Sequence, residues 1–497
     1  MINSTFPTLP SATPDFVSLL QSCRAAFAKF KAIFRQFRQQ EPTPASTWAF
    51  ETQLEACGRE MLRECVEREY NAIEAAEIQD CPVRLRSCGE DYKRRPKSPN
   101  TIGTLFGPIR LDRYRYEALE RGERSLFPLE MHLGIEAGLA TPALAERIGL
   151  QVASLSQQQV LEWLEQHHGI KWSADSLRKL SASLSDGLSS FREAAQVQKI
   201  RELLEKAEQS KGPHVPVLVV GRDGVMVPMR HGACREAATA TVSVMDRRGK
   251  RVGTVYLGQM PEPKQTTLSD QLTSLLVAVL TQWTGCSLRY VYVTDAGSHP
   301  QEYFNQVLRR MEDPRRPGKL LGWQWIVDFW HACCYLTKLR EALFGDSPAG
   351  WKWFKRMRHV LRHRRQGIAD VLRSATQHWN GNRDQDAARR KLFQEGYAYL
   401  RKYAHRMDYA SYRRQGKPIG SGVTEAACKT VFTQRLKQSG MRWQVKGGQV
   451  IVALRVLKLS GVWKNAFHLY QQSRSLPECP KAGSYQGCGT IARKIAA

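Results

Sequence analysis

Three acidic side chains of this 497-residue chain lie in surroundings that are otherwise apolar. Asp223 and Asp295 fall within or directly after strand-like apolar runs, and Glu425 falls near the start of a helical stretch with one apolar side. Segments that become buried rarely hold a carboxylate without a use for it. Carboxylate oxygens are hard ligands of the kind that Mg²⁺ prefers. Two such ions about 4 Å apart can activate an attacking oxygen and stabilise the leaving oxygen in a phosphodiester displacement.

Each carboxylate also has an ordinary structural explanation, which the sequence leaves open. Asp223 precedes a glycine between apolar runs, which is a strong hairpin signal. Asp295 could be a turn or cap residue, and Glu425 could favour the helix dipole and pair with Lys429 one turn later. A fourth acid, Asp328, ends another apolar run and could simply cap the next helix. The chemical interpretation is favoured because these acids recur at the ends of elements in one predicted topology.

The order of elements around these acids predicts a mixed α/β sheet. Apolar runs alternate with amphipathic stretches from residue 215 onward. The predicted strands cover 215–229, 237–245, 251–260, 288–295 and 322–328. The predicted helices cover 267–283, 300–311 and 329–344. Three strands joined by hairpins, followed by two that alternate with helices, are typical of a ribonuclease H-like fold, with Asp223 on its central strand.

Composition favours a polyanionic partner. The chain holds 74 Lys and Arg against 47 Asp and Glu, a formal net charge of +27, and nucleic acid is the first candidate for such an excess. No apolar run approaches the roughly 20 residues of a membrane-spanning helix, and residues 1–14 lack the apolar core of a signal peptide. The twelve Cys suggest reduced thiols in a cytoplasmic chain. Zinc is not expected, because the Cys spacings match no standard site; those considered were Cys81, Cys88, Cys479 and Cys488.

The topology suggests a role for each acid. Asp223 would bridge two Mg²⁺ ions, Asp295 and Glu425 would hold one each, and Mn²⁺ could substitute. Asp295 is preferred to Asp328 as the second ligand, because it ends the strand expected beside the central one. Asp328 and His331 lie one turn apart, so their side chains can meet. We expect both to border the site, with His331 hydrogen-bonded to a carboxylate or to DNA; the alternative is that Asp328 only caps and His331 only packs.

Residues 345–415 are helical and basic. Within them, 351–365 holds seven Lys or Arg, two His and no acid. That bias fits a phosphate-facing helix better than an ordinary solvated face, which usually mixes signs. The candidate phosphate contacts of this helix are Arg362, Arg364 and Arg365.

The N-terminal half holds separate candidates for DNA contact. An amphipathic helix over 16–39 is expected to pack against the helical stretch that follows. Residues 101–116 predict a β-hairpin in which Arg110, Arg113 and Arg115 alternate with tyrosines, as in a phosphate-contacting ribbon. A solvated strand face explains the same residues almost as well.

Helix-turn-helix-like sequence follows the hairpin. Residues 134–184 predict two such units, the second beginning at an N-cap, Ser173, and carrying Arg178 and Lys179. An ordinary helical bundle is the alternative. Residues 200–211 predict a charged connector to the sheet.

The stretch from Pro418 to Trp443 predicts a turn and then one helix of about four turns over 423–438. This stretch, PIGSGVTEAACKTVFTQRLKQSGMRW, the D–D–E series and the D-x-x-H of 328–331 together resemble transposases of the ISKra insertion-sequence family, related to the Mutator-like group. TLFGPIRLDRYRY also resembles the family's upstream segment, and the resemblance runs from about residue 81 to 465. The family's further Cys-Gly pairs are missing after that segment, which argues against a zinc ribbon.

The resemblance implies a ribonuclease H-like catalytic domain split by a helical insertion before Glu425. It implies Asp223, Asp295 and Glu425 as metal ligands, cleavage at element ends and transfer of the 3′-hydroxyl to target DNA. Three basic residues around Glu425 are assigned to DNA contact: Lys429, Arg435 and Arg442. The expected partners are double-stranded DNA, as inverted-repeat ends and target, and further copies of the chain, with a cytoplasmic, nucleoid-associated location in a prokaryote. A nuclease without strand transfer and a catalytically silent DNA-binding repressor are the alternatives.

These inferences divide the chain into seven segments: an N-terminal helical region (1–80), a basic β-hairpin segment (81–130), a helix-turn-helix-like DNA-binding region (131–211), the first part of the catalytic domain (212–345), a helical insertion (346–417), the final part of the catalytic domain (418–475) and a tail (476–497).

Overall fold

The computed structural model describes residues 24–77, 83–87, 90–119, 125–380 and 386–474. The cysteines considered for zinc lie outside these ranges. The chain forms two compact units, one made of Met1–Leu184 and Tyr470–Ala497 and the other of Ser185–Leu469. Among the described residues, no helix combines the length and the apolar character needed to cross a membrane.

The first unit combines helices with a three-stranded antiparallel sheet. Its elements, in chain order, are α1 (Arg24–Gln39), α2 (Pro44–Glu77), β1 (Arg84–Ser87), β2 (Glu90–Thr104), β3 (Gly107–Ala118), α3 (Pro128–His132), α4 (Pro142–Val152), α5 (Gln157–His168) and α6 (Ala174–Gln209), the last of which continues into the second unit. Helix α1 packs on α2 through stacked phenylalanines, Phe37 on Phe50 at 4.3 Å, as expected for this amphipathic helix. The predicted hairpin is also present, as β2 and β3.

Helix α2 covers the free edge of strand β3. Glu67, Asn71 and Glu74 lie about one turn apart on α2, and their side-chain oxygens accept hydrogen bonds of 2.5 to 3.2 Å. The donors are alternate backbone N–H groups of β3: those of Arg110, Asp112 and Tyr114. An edge strand otherwise presents such groups unpaired.

Helix α6 is longer than the sequence predicts. Ser173 caps it as expected, its hydroxyl accepting from the N–H of Ser176 at 3.1 Å. The expected connector over 200–211 is wrong, because the helix continues to Gln209. Its later turns bury Ile200, Leu203 and Leu204 in the core of the second unit. That apolar face lies among charged residues, which is why the segment resembles a connector in sequence.

The second unit is a mixed α/β structure around a five-stranded sheet. Its elements are β4 (Val217–Val227), β5 (Arg235–Met245), β6 (Arg251–Gln259), α7 (Thr266–Gln282), β7 (Arg289–Thr294), α8 (Ser298–Gln306), β8 (Glu312–Asp313), β9 (Arg316–Leu320), β10 (Gln324–Val327), α9 (Phe329–Phe344), α10 (Pro348–His363), α11 (Gly367–Asn380), α12 (Ala387–Lys402), α13 (Tyr409–Arg414), α14 (Gly422–Ala427), α15 (Gln434–Leu436), α16 (Val445–Leu459) and α17 (Trp463–Ser473), the last of which continues into the first unit. Short 3₁₀ turns cover Pro263–Gln265, Leu308–Arg310 and Ala404–Arg406.

The strand order in this sheet is β10-β7-β4-β5-β6. Strands β4, β5 and β6 form an antiparallel meander, whereas β7 pairs with β4 and β10 with β7 in parallel. All five predicted strands are confirmed, with ends that differ by a few residues. The small β8–β9 hairpin was not predicted.

The helical region between β10 and Glu425 packs into the same core as the sheet. Trp353, Met357 and Leu361 of α10 and Val371 of α11 belong to the apolar cluster that includes the sheet's own valines. The helix predicted over 423–438 is interrupted, because α14 is followed by a π-helical segment, Cys428–Thr433, before α15. A π-helical insertion of this kind is frequent at functional sites.

Candidate active site

The three aspartates lie side by side on three neighbouring strands of the five-stranded sheet, towards the carboxyl ends of β7 and β10. The parallel register of β4 with β7, continued three residues beyond its last pair, sets Asp223 level with Asp295. The parallel register of β7 with β10, continued by one residue, sets Asp295 level with Asp328. Neighbouring strands are about 4.8 Å apart. Three adjacent strands therefore carry one carboxylate each, directly after the ends of β7 and β10 and within β4, on the side of the sheet where ligands of open α/β sheets bind.

Asp223 is half-buried on the central strand. Its Oδ1 accepts a hydrogen bond from the N–H of Gly224 at 2.8 Å, and its Oδ2 accepts from the thiol of Cys428 at 3.4 Å. Burial raises the pKa of Asp223, and the negative charges of Asp295 and Glu425 raise it further, against these two hydrogen bonds. Asp223 therefore lies within electrostatic range of the other two carboxylates singled out in the sequence.

The helical region holds Asp295 in place through its backbone. The hydroxyl of Tyr399, on α12, donates to the carbonyl oxygen of Asp295 at 2.7 Å. The next residue, Ala296, has a φ of 66°, a left-handed conformation that costs a non-glycine residue energy. The Asp295 side chain turns back to accept from the N–H of Gly297 through Oδ1 at 2.9 Å. Asp295 thus ends its strand in a constrained turn.

Asp328 is fully buried and has backbone partners for both oxygens. Oδ2 accepts from the N–H of His331 at 2.6 Å, and Oδ1 accepts from the N–H of Ser421 at 2.7 Å. Burial raises the pKa of Asp328; the two backbone hydrogen bonds lower it, and Glu425 raises it. Asp328 caps α9, as the alternative prediction held. Its hydrogen bond with Ser421 also connects the turn before Glu425 to the end of β10.

His331 borders this cluster through aromatic contacts. Its ring lies 5.4 Å from the ring of Tyr335 and 5.7 Å from that of Tyr399, and these two tyrosines stack at 3.7 Å. The described part of the chain gives this ring no hydrogen bond to a carboxylate. The packing alternative therefore describes His331 in this state, and the expected contact with DNA remains a prediction.

Glu425 lies on α14, exposed, and is oriented by the preceding turn. Its Oε1 accepts a hydrogen bond from the Ser421 hydroxyl at 2.7 Å. The N–H of the same serine donates to Asp328, so one residue connects the two acids. Among the described residues, Glu425 forms no ion pair with Lys429, which was the alternative expected from the sequence.

A glycine on the central strand lets α14 approach the sheet. Gly221 lies two residues before Asp223, on the same face of β4. A Cβ there would come within 3.0 Å of Oγ1 of Thr424, closer than real Cβ atoms lie to such neighbours. Thr424 itself shares a 2.8 Å hydrogen bond with Thr241 on β5. The residue before Glu425 is therefore packed directly against the strand that carries Asp223.

Sequence reasoning missed several residues of this site. They are Gly221, Ser421, Thr424, Cys428 and Tyr399. A glycine two residues before a strand aspartate and a serine four residues before a helical glutamate were the available signals. No sequence signal indicated Cys428, because its position depends on the π-helical segment.

The donor set fits Mg²⁺ in its chemistry. All four acids supply carboxylate oxygens, and none of them forms an ion pair with a described residue. Burial raises the pKa of Asp223 and of Asp328 and so disfavours their charged forms, and a bound cation would offset this effect. In the described part of the chain, no group of three or more His, Cys, Asp and Glu side chains is already assembled as a metal site.

Two arginines expected at DNA are buried. The guanidinium of Arg113 is paired with Glu130, Nε to Oε1 at 2.5 Å, and lies over the ring of Phe127. Arg435 is 1% exposed and lies over the ring of Trp443, and burial, followed by Arg455, lowers its pKa to about 10. Neither side chain can reach a phosphate from its present position, so both assignments are corrected.

The other basic side chains proposed to contact DNA differ in their exposure and in whether an acid already pairs with them. Arg110, Arg115, Arg178 and Arg364 are each paired with an acid within a few residues or on the next helix: Asp112, Glu117, Asp175 and Asp370. Arg362 is half-buried with its guanidinium 5.7 Å from the ring centre of Phe329. Four exposed candidates form no ion pair with any residue that the structure describes: Lys179, Arg365, Lys429 and Arg442.

The chain matches none of the known protein-family models, and no curated protein matches it.

Proposed function

We propose that this chain is a Mg²⁺-dependent DNA transposase that cleaves the ends of an insertion sequence and joins their 3′-hydroxyls to target DNA. The observation that carries the proposal is that Asp223, Asp295 and Asp328 lie level with one another on neighbouring strands. Glu425 lies on a helix that packs on the central strand of these three. Phosphodiester chemistry with two metal ions needs such a carboxylate set and no covalent nucleophile.

The topology of the second unit supports a ribonuclease H-like catalytic domain. That fold begins with three antiparallel strands and continues with two parallel strands on the other side of the first. The observed order β10-β7-β4-β5-β6 agrees with this description. The helical region before Glu425 corresponds to the proposed insertion, and Tyr399 from it contacts Asp295.

The hydrogen bonds suggest different roles for the four acids. Asp223, Asp295 and Glu425 are the proposed metal ligands, because the described residues leave each with an oxygen that is free or only weakly bonded. Asp328 has strong backbone donors on both oxygens, so it would position the turn of Ser421. When bound, Mg²⁺ would supply the charge that activates the attacking oxygen and stabilises the leaving one.

The experiment uses the full chain and the DNA that flanks its own gene. Wild-type protein with Mg²⁺ should nick that DNA at inverted repeats and join the ends to a target plasmid. Asp223→Asn should lower both rates on the order of 10³-fold, while gel-shift binding stays unchanged. Asp270→Asn, an exposed acid on α7, is the matched control.

Each alternative function has its own outcome in this assay. Cleavage without joining would identify a nuclease. Binding without cleavage by wild-type protein would identify a silent DNA-binding protein. Cleavage by Asp223→Asn at the wild-type rate would remove Asp223 from the site.

A further inference from the structure

A second cluster of charged and aromatic side chains lies at the opposite ends of β7 and β10. These strands begin at Arg289 and Gln324, and both residues line an open cavity of about 570 Å³. From Arg289 to Asp295 is six residues, or roughly 20 Å of extended strand. The cavity is therefore separate from the carboxylate edge, although the same strands carry both.

The cavity is lined by cations and by no acid. Arg289, Arg406 and Lys417 are these cations, and no Asp or Glu is among the lining residues. His405 also lines the wall, but burial lowers its pKa and so favours the neutral ring. Two of the cations are held by neutral acceptors. Nη1 of Arg289 donates to the carbonyl of Gln415 at 2.7 Å, and Nζ of Lys417 donates to Oε1 of Gln324. Their positive charge is therefore positioned without being neutralised.

Two acids act on tyrosines that line the cavity, and both already have hydrogen-bond or ion-pair partners. Asp313 acts on the cavity's Tyr290, but its carboxylate is paired with Arg315 at 3.1 Å. Asp408 acts on Tyr412, but its carboxylate caps α13. Neither acid lines the cavity.

The positive charges are also unfavourable to one another. Burial lowers the pKa of Lys417, and Arg289 lowers it further. Burial likewise lowers the pKa of Arg406. An anion in the cavity would offset both effects, because an opposite charge stabilises the charged form of each side chain.

Aromatic rings form another part of the wall. Trp323 and Trp325 are 6% and 3% exposed, and the ring of Tyr290 lies 5.3 Å from that of Trp323. The Arg406 guanidinium lies 4.0 Å from the ring centre of Trp325. This arrangement combines flat apolar surface with fixed cations, which suits a ligand that has both a ring and a negative group.

Two buried donors on this wall lack an acceptor. Nε1 of Trp323 and Nε of Arg406 are both inaccessible and have no hydrogen-bond partner. A buried donor without an acceptor is costly. Both atoms are inaccessible, so a ligand in the open cavity would be bound by the lining cations and not by these two donors.

We propose that this cavity binds a nucleoside phosphate, with the base against the tryptophan wall and the phosphate among Arg289, Arg406 and Lys417. Its volume lies within the usual range for small-ligand sites. Stacking on aromatic side chains accepts any base. The ligand can be a free nucleotide or one nucleotide of a single strand, because both present the same chemistry.

The test is a calorimetric titration of the full chain with dAMP, deoxyadenosine, inorganic phosphate and benzoate. We expect dAMP to bind at least tenfold tighter than each of the other three. Lys417→Gln should weaken dAMP binding about tenfold, and Trp323→Phe, which replaces the indole by a smaller ring, should weaken it several-fold. Lys352→Gln, an exposed cation on α10, is the matched control and should bind as wild type. Thermal melts of each variant confirm that it is folded.

Every other outcome overturns the inference. Equal binding of phosphate and dAMP would show an anion site that does not recognise the base. Equal binding of benzoate would show an aromatic-acid site. Undetectable dAMP binding, or equal losses in Lys417→Gln and Lys352→Gln, would show that the cavity holds no nucleotide.

A second titration identifies the source of the nucleotide. The single-stranded trinucleotide pdApdApdA should displace dAMP and bind at least tenfold tighter if the source is a strand, with the Lys417→Gln defect preserved. Displacement with no gain over dAMP would identify a free nucleotide. These binding experiments do not depend on the proposed transposase activity, so either proposal can fail alone.

Discussion

Strands β7 and β10 have opposite charges at their two ends. Their carboxyl ends carry Asp295 and Asp328, whereas their amino ends open into the cavity of Arg289 and Lys417. The residues between these ends are apolar and buried. The strands therefore act as a rigid spacer between an acidic edge and a basic one.

The two edges also differ in how their charges are satisfied. At the acidic edge, backbone N–H groups and the Ser421 hydroxyl donate to the carboxylates. At the basic edge, two buried donors have no acceptor. The two ends of the same strands therefore differ both in charge and in how far their buried polar groups are satisfied.

The largest expected effect is a difference between Asp295 and Asp328: the first should affect DNA cleavage and the second should affect stability. Asp295→Asn should lower DNA cleavage on the order of 10³-fold with little change in stability, because one of its carboxylate oxygens is not needed by the backbone. Asp328→Asn should instead lower the free energy of unfolding by about 1–3 kcal/mol, because one buried N–H loses its acceptor. Cleavage rates and urea unfolding of both variants measure this difference. A stable, inactive Asp328→Asn beside an active Asp295→Asn would show that the ligand is Asp328.

The next effect concerns how closely α14 packs on the sheet. Gly221→Ala should cost about 1–3 kcal/mol of stability, because the new methyl group overlaps Thr424. Cleavage should fall with it, since Glu425 moves with its neighbour. Gly422→Ala on the same helix meets no atom within 4 Å and is the control. Equal melting temperatures for the two variants would refute the close contact.

Burial gives the acidic edge a pH dependence. Because the folded pKa of Asp223 is raised, its contribution to stability is present below its unfolded pKa of about 3.9 and is lost as pH rises through the folded value. Asp223→Asn should therefore raise the melting temperature by a few degrees at pH 8 in EDTA. The gain should shrink as the pH approaches 4. A gain that is the same at both pH values would assign it to packing instead of charge.

The smallest expected effect comes from a comparison of two exposed cations that follow α10, Arg364 and Arg365, with a cation of the cavity, Lys417. Replacing Arg364 and Arg365 by Ala should reduce the salt dependence of duplex DNA binding by up to about 1.8 in the log–log slope, or roughly 0.9 per lost phosphate contact. Lys417→Gln should leave that slope unchanged. Lys250→Ala, an exposed cation on the β5–β6 turn, is the surface control. An unchanged slope in the double variant would place duplex contact elsewhere.

The sequence predicts the strands and their terminal acids well, for a local reason. Apolar runs ending in Asp295 and Asp328 are visible as patterns of neighbouring residues, and the structure confirms the strands that they end. The buried Arg113 and Arg435 were mistaken for surface cations, because nothing local distinguishes a paired or stacked arginine from a solvated one.

The remaining features depend on residues distant in the chain. Gly221 matters only because Thr424 lies on it, and the basic cavity forms only when segments near 289, 323 and 406 meet. The π-helical segment has the composition of an ordinary helix. Such features require the assembled fold to be seen.

The cover that α2 provides for β3 has a consequence for the self-association of this basic chain. Glu67, Asn71 and Glu74 occupy the alternate N–H groups that another chain's strand would otherwise use. Strand addition by another chain, which can lead from an open sheet edge to aggregates, is therefore blocked along this part of the edge.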